Sequence, residues 1–437
     1  MRLTTVLFVA AALAWAQPAK LPEPYQSIVE LSHAVPPEFA SDALLRIVES
    51  NQLADRDSKR RLTEDAFRLA EVATLPARMR ALPGIPQDSR SSFLGRAYGL
   101  QLDALSLESR AATDMLAIDV PKARELFGEI PPPSVAPLSC DDALVYDLSN
   151  FYQALGAMAS LGFSEKERTK QDHVNFLLGY LAQATSPLQF PPLADLIRTV
   201  NVTPAQREAL WIRFNGLVEN TRPDGRSFSA LLADRDHAPA QLQVFFDKNK
   251  GAGCPDDAVG LKSGSTPKLD LYWQSPQAQQ LLQDGRKLRF TSNKQPLSDA
   301  DRSTPEWRGQ LADYLNELAN WGPAQEKSEA DYFHQKCQVF VNLIDLIPDG
   351  SDRDVALAAF VEFINTSTLE WQSPVEWYLE ASSMLDRVQG ERNGEANKVR
   401  EAFEGSGNPV LALSDELENV FGRKTPEWLT PQGTFHP

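Results

Sequence analysis

The sequence predicts an all-α protein. Apolar residues recur with a helical period along almost the whole chain, segment starts carry helix-capping chemistry, and sustained period-two alternation between turns is nearly absent. Leu62, Ala66, Leu69, Ala70 and Ala73 fall at i, i+4, i+7, i+8 and i+11, one stripe of a helix. Val174, Leu177, Leu178 and Leu181 repeat the pattern, as do Leu311, Leu315 and Leu318. The runs from Val339 to Ile347 and from Val355 to Ile364 are apolar on most sides, which predicts buried central helices.

In chain order, residues 1–16 read as a secretory signal. Arg2 precedes an apolar run that closes on Ala14-Trp15-Ala16, the charged, apolar and small-residue parts of such a segment. The run is short for a bilayer crossing, which takes ~20 apolar residues. An uncleaved anchor is the alternative reading. Cleavage after Ala16 leaves Gln17 first, with no cysteine nearby to carry a lipid. The expected mature chain is periplasmic or extracellular, with no membrane span.

Residues 17–130 form a first helical segment. Each residue before a proline is pushed out of the α region, so the proline-rich 131–137 is expected to be stiff and extended, a linker. A middle helical segment follows at 138–248, a glycine-rich loop at 249–267 and a C-terminal helical segment at 268–437. Helix starts are legible throughout. Ser186-Pro187-Leu188-Gln189, Thr203-Pro204-Ala205-Gln206 and Ser373-Pro374-Val375-Glu376 each place a hydroxyl at N-cap, proline at N1 and Glu or Gln at N3. Thr304-Pro305-Glu306 and Thr425-Pro426-Glu427 are shorter relatives. Short breaks such as Gly162-Phe163-Ser164 predict antiparallel neighbours, and the caps share no fixed period. The expected architecture is an irregular array of stacked antiparallel helical hairpins, solenoid- or bundle-like.

Acidic residues number 59 against 43 basic, a net charge of −16, which repels phosphate backbones and excludes nucleic-acid binding. Three cysteines allow one internal bridge. Cys140 and Cys254 both precede acidic pairs and make the expected pair, with Cys337 buried in a helix; three reduced thiols are the alternative. The five histidines form no His-Glu-x-x-His, and His334 with Cys337 at i+3 lacks further ligands, so no metal is expected. Ser265-Thr266-Pro267-Lys268 and Lys262-Ser263-Gly264 match pieces of the penicillin-binding set in the wrong order. Glycine-rich nucleotide loops, a haem attachment motif and paired-cysteine redox motifs are missing, and no cofactor is expected.

The most distinctive local feature is a repeated Glu-Trp pair: Glu306-Trp307, Glu370-Trp371, Glu376-Trp377 and Glu427-Trp428. Trp307, Trp371, Trp377 and Trp428 are candidate binding surfaces, because an indole face stacks on a sugar ring. Glu306, Glu370 and Glu376 are candidate catalytic acids or bases. The competing explanation is structural: glutamate near a helix start offsets the macrodipole, and the neighbouring indole packs inward. Two functions follow as expectations. One is an exported scaffold that binds an unknown protein or cell-envelope component without catalysis. The other is a carbohydrate-active enzyme using paired carboxylates on an α/α scaffold.

Overall fold

Local capping chemistry sets most first turns. The computed structural model describes residues 21–50, 52–82, 95, 97–233, 235–254, 276–321, 336–337, 339–341, 343–344, 347, 350–366 and 409–421. The signal-like residues 1–16 and residues 255–267 of the glycine-rich loop lie outside them. Helix dominates what is described, as the sequence predicts, and the strands among the described residues are two three-residue pieces. No described helix is long and apolar enough to cross a membrane.

The first layer comprises α1 (Glu23–Ser32), α2 (Pro37–Glu49) and α3 (Arg56–Ala70), followed by β1 (Met79–Ala81), α4 (Ala104–Ile118) and α5 (Val120–Glu129). Asp55 caps α3 through the Ser58 N–H, and Asp103 caps α4 through that of Ser106. Ser41 Oγ on α2 donates to the Ala66 carbonyl late in α3 at 2.9 Å, while Lys59 early in α3 reaches Ser50 at the end of α2. The two helices therefore run in opposite directions. Arg56 Nε at the start of α3 donates to the Ile118 carbonyl at the end of α4 at 2.7 Å, so this pair is antiparallel too.

Next come β2 (Leu144–Tyr146), α6 (Ser149–Leu161), α7 (Glu165–Thr169) and α8 (Asp172–Leu181). The two strands pair antiparallel, Arg80 opposite Val145. Ser186 opens a 3₁₀ turn, Pro187–Gln189, and the α-helix proper, α9 (Phe190–Thr199), starts four residues after the cap. The cause is covalent. Pro191 and Pro192 have no N–H to return to Pro187 and Leu188, so α-type bonds cannot form until the chain has passed them. Thr203 then caps α10 (Pro204–Asn220) with Gln206 in a capping box. α11 (Gly225–Ala233) and α12 (Gln243–Lys248) follow.

Further along lie α13 (Pro276–Lys287), α14 (Asp299–Arg302), α15 (Pro305–Asn320), α16 (Ser351–Thr366) and α17 (Pro409–Phe421). Ser298 and Thr304 cap α14 and α15. Apart from the exposed α14, these helices divide between two apolar cores. The main core collects α1 to α12 except the exposed α7 and includes residues on both sides of 131–137, Ile130 and Leu148 among them. Val410, Leu413 and Leu417 of α17 belong to it as well. A second core joins Leu281, Trp307, Leu311, Leu318, Phe340, Ile344 and Phe360.

Cys140 and Cys254 form a disulfide across 114 residues, and Cys337 is a buried free thiol. The bridge lies against the start of α11, where a Cβ on Gly225 would come within 2.9 Å of Cys140 Sγ. Ser229 of α11 accepts the Cys254 N–H at 2.9 Å, and Arg226 donates to the Cys140 carbonyl.

Carboxylates are packed into the first layer. Asp42 is buried; desolvation opposes its charge, but Arg46 and Arg110 at 2.7 and 2.6 Å outweigh it and hold its pKa below the usual value. Glu108 has no such partner. Burial, then the charges of Glu71 and Asp103, push it up to about 7 from 4.5. Its contribution to stability is therefore full below the unfolded value and lost as pH rises through about 7. Glu108→Gln is expected to match the parent at pH 4 and to exceed it by about 1–2 kcal/mol at pH 8, after allowance for solvent screening. Urea midpoints at the two pH values check it; an equal difference at both would contradict the assignment.

Candidate functional site

Two helices distant in sequence frame the site. Gln189 Nε2, just before α9, donates to Tyr152 Oη in the first turn of α6 at 2.8 Å. Ser160 in the last turn of α6 accepts the Asn201 N–H, just past α9, at 3.3 Å. Thus α6 and α9 lie side by side and run the same way. Helix ends leave carbonyls without partners, and two arginines take them. Arg168 donates to Ala159 and Ser160 at the end of α6, and Arg207 to Ile197, Arg198 and Val200 at the end of α9. A cation beside a helix C-terminus is also favoured by the macrodipole.

Between the helices is a cleft of about 540 Å³. Gln153, Gly156, Ala157 and Ser160 of α6 form one wall. They fall at i, i+3, i+4 and i+7, one face of the helix, while Phe151, Leu155 and Met158 of the same helix are fully buried in the core. That wall is small: a Cβ placed on Gly156 would stand in van der Waals contact with Leu196 opposite, at 3.8 Å. Pro191, Pro192, Asp195, Leu196 and Thr199 form the α9 wall. Tyr146 to Ser149 and Leu231 of α11 close the end. Both closing pieces are tied together by the Cys140–Cys254 bridge, which joins the approach to β2 to the base of α11.

The charges that line the cleft are engaged. Asp147 receives Arg78 Nη2 at 2.5 Å and the Ser149 N–H at 3.1 Å. Burial works against its charge, but the Ser149 hydroxyl and Arg78 hold its pKa below the ordinary value. Asp195 pairs with Arg198 at 2.7 Å, and Arg80 is not free either. Tyr152 is 2% exposed, and burial pushes its phenol up, so it stays protonated. Its oxygen accepts from Gln189 and keeps its own proton to donate.

The residues singled out from the sequence lie elsewhere. Glu306 is exposed in the first turn of α15. Trp307 is 4% exposed inside the second core and its Nε1 donates to the Leu288 carbonyl at 3.2 Å, so it presents no open stacking face. Glu370, Trp371, Glu376, Trp377 and Trp428 fall outside the described residues. Beside the buried Cys337, Lys336 donates to the Ala319 and Trp321 carbonyls at 3.2 Å each and lies 4.7 Å from the Phe363 ring centre. Desolvation lowers its pKa to about 8. Its position at the end of α15 is that of a helix-terminating cation. Among the described residues no group of three or more His, Cys, Asp or Glu could hold a metal ion.

Comparison with known proteins finds no matching family model, curated protein or solved structure. The site therefore rests on its own geometry. The cleft residues were missed in the sequence because small residues at helical spacing equally describe a tight helix–helix contact.

Proposed function

We propose that this chain is an exported, non-catalytic scaffold, an irregular array of helical hairpins that binds a partner protein or cell-envelope component along the cleft between α6 and α9. The observation that carries the reading is how the cleft's ionisable groups are used. Asp147 is committed to Arg78 and the Ser149 N–H, which hold its carboxyl below the ordinary value, so it is not poised to exchange a proton near neutral pH, and Asp195 sits in an exposed ion pair with Arg198. What the cleft offers instead is shape, an apolar floor and neutral hydrogen-bonding groups, the usual make-up of a recognition site. Export rests on the amino-terminal sequence pattern and places the partner in the periplasm or outside the cell.

Gly156→Trp tests the cleft, since a Cβ there already reaches Leu196 at 3.8 Å and an indole would fill the space between the two walls. Envelope components retained by the immobilised parent are expected to be lost with this variant and kept with a surface control, Arg60→Ala. Equal retention by all three would remove the cleft from the function. Release of reducing ends from a polysaccharide panel by the parent would overturn the non-catalytic reading.

A further inference from the structure

We propose that the outer face of α10 pairs two copies of this chain in parallel, through Ile212 and two reciprocal Glu208–Arg213 ion pairs. The inference does not depend on the cleft. α10 turns Leu210, Phe214 and Val218 into the main core, where it packs on α8 and α9. Its outer side is apolar as well, which a helix packed on one side only does not require. Ala205, Ala209 and Ile212 are exposed, Ile212 by 67%, and with Gly216 they fall at i, i+4, i+7 and i+11 on one stripe. A Cβ on Gly216 would meet nothing within 4 Å, so the stripe opens on solvent along its length.

Charge selects the partner. The outer face reads as a heptad, with Ala209 and Gly216 at a, Ala205 and Ile212 at d, Glu208 at g and Arg213 at e. Glu208 and Arg213 are five residues apart, about 140° around the helix, so they flank the stripe on opposite sides and cannot reach each other. Both are exposed, and neither makes an ion pair among the described residues. In a parallel pair, a g residue meets the e residue five positions later on the other copy. Glu208 of each copy then meets Arg213 of the other, and Ile212 meets Ile212. An antiparallel pair keeps each flank on its own side, so Glu208 would face Asn215 and Arg213 would face Gln206, with no charge matched. An unrelated partner would have to supply both signs at this spacing, and a second copy already carries them. Glu219, at the next d position, would oppose its own copy, so the contact ends at Gly216. From Ala205 to Gly216 it runs about 16 Å, at 1.5 Å per residue. One helix face of that length lies at the low end of interface sizes, so the dimer is weak and forms where the protein is concentrated.

The test is sedimentation velocity on the oxidised mature chain, from about 5 to 500 µM at ~50 mM salt. The parent is expected to dimerise with a Kd of about 10–100 µM, and more weakly at ~0.5 M salt. Glu208→Arg and Arg213→Glu each set two like-charge pairs against each other and should weaken dimerisation at least tenfold. The two reversals combined in one chain restore both pairs with their signs exchanged, and should return the Kd to within about threefold of the parent's. Ile212→Asp should abolish the dimer. All three side chains are exposed, so these variants should melt as the parent does. A parent that stays monomeric over the whole range overturns the proposal. So does a dimer indifferent to the single reversals, which would lie on another face or run antiparallel. A double reversal that remains as weak as the single ones overturns it too, because the charges would then act without meeting.

Discussion

Replacing Cys140 and Cys254 together by alanine is expected to lower the unfolding free energy by about 3–5 kcal/mol, measured by urea unfolding without reductant, so that the parent's bridge stays closed, and at mildly acidic pH, so that the Cys337 thiol does not exchange with it. The separation of 114 residues makes the effect large. A bridge that closes so long a loop removes many conformations from the unfolded chain, and the chain-entropy model puts a loop of this size near ~5 kcal/mol. Against a typical domain stability of about 5–15 kcal/mol that is a substantial fraction. Function should suffer as well. The bridge holds the approach to β2 against α11, and those two pieces supply Tyr146 to Ser149 and Leu231 at the end of the cleft. The double variant should therefore bind any cleft ligand more weakly even at temperatures where it remains folded. A loss under 1 kcal/mol would mean that the surrounding contacts, Arg226 to the Cys140 carbonyl and Ser229 to the Cys254 N–H, already fix the geometry unaided.

What could be read from the sequence was what is decided within a few residues. Thr203 and Thr304 cap the helices expected of them, because an N-cap needs only its own hydroxyl and the N–H two or three positions on. The all-α class followed from periodicities that each helix states alone. Even within this range Ser186 shows a limit: the cap was legible, but Pro191 and Pro192 delay the α-helix behind a 3₁₀ turn. The cleft belongs to a different order of information. Tyr152 and Gln189 meet only after α7 and α8 have been laid down between them, and no spacing within α6 states which helix will lie alongside. Glu306 and Trp307 show the converse error. Adjacent helical residues diverge by about 100°, so a dipeptide that looks like one site sends glutamate to solvent and indole into the core.

The double variant Leu413→Ala, Leu417→Ala is expected to remove most or all of the stability of the main body, about 4–8 kcal/mol. Both leucines are at most 1% exposed and, with Val410, place α17 in the same core as α1 to α6 and α8 to α12. Single Leu→Ala changes in a packed core cost about 2–5 kcal/mol, from lost transfer energy and the cavity left behind. The two sites share neighbours, so the sum is not strictly additive. α17 packs on α1, and Phe421 stacks on Tyr25 with ring centres 6.1 Å apart. Loss of the α17 leucines should therefore appear first as faster amide exchange in α1, ahead of α6 and α9, because opening begins where the fewest other elements support the helix. A matched variant in the second core, Leu281→Ala with Leu318→Ala, separates this from a general weakening. Its side chains contact a different set of residues, so α1 should keep its protection while α13 and α15 lose theirs. If α1 exchanges equally fast in both variants, the two cores unfold as one unit; if α1 stays protected in the first, α17 does not close the main body.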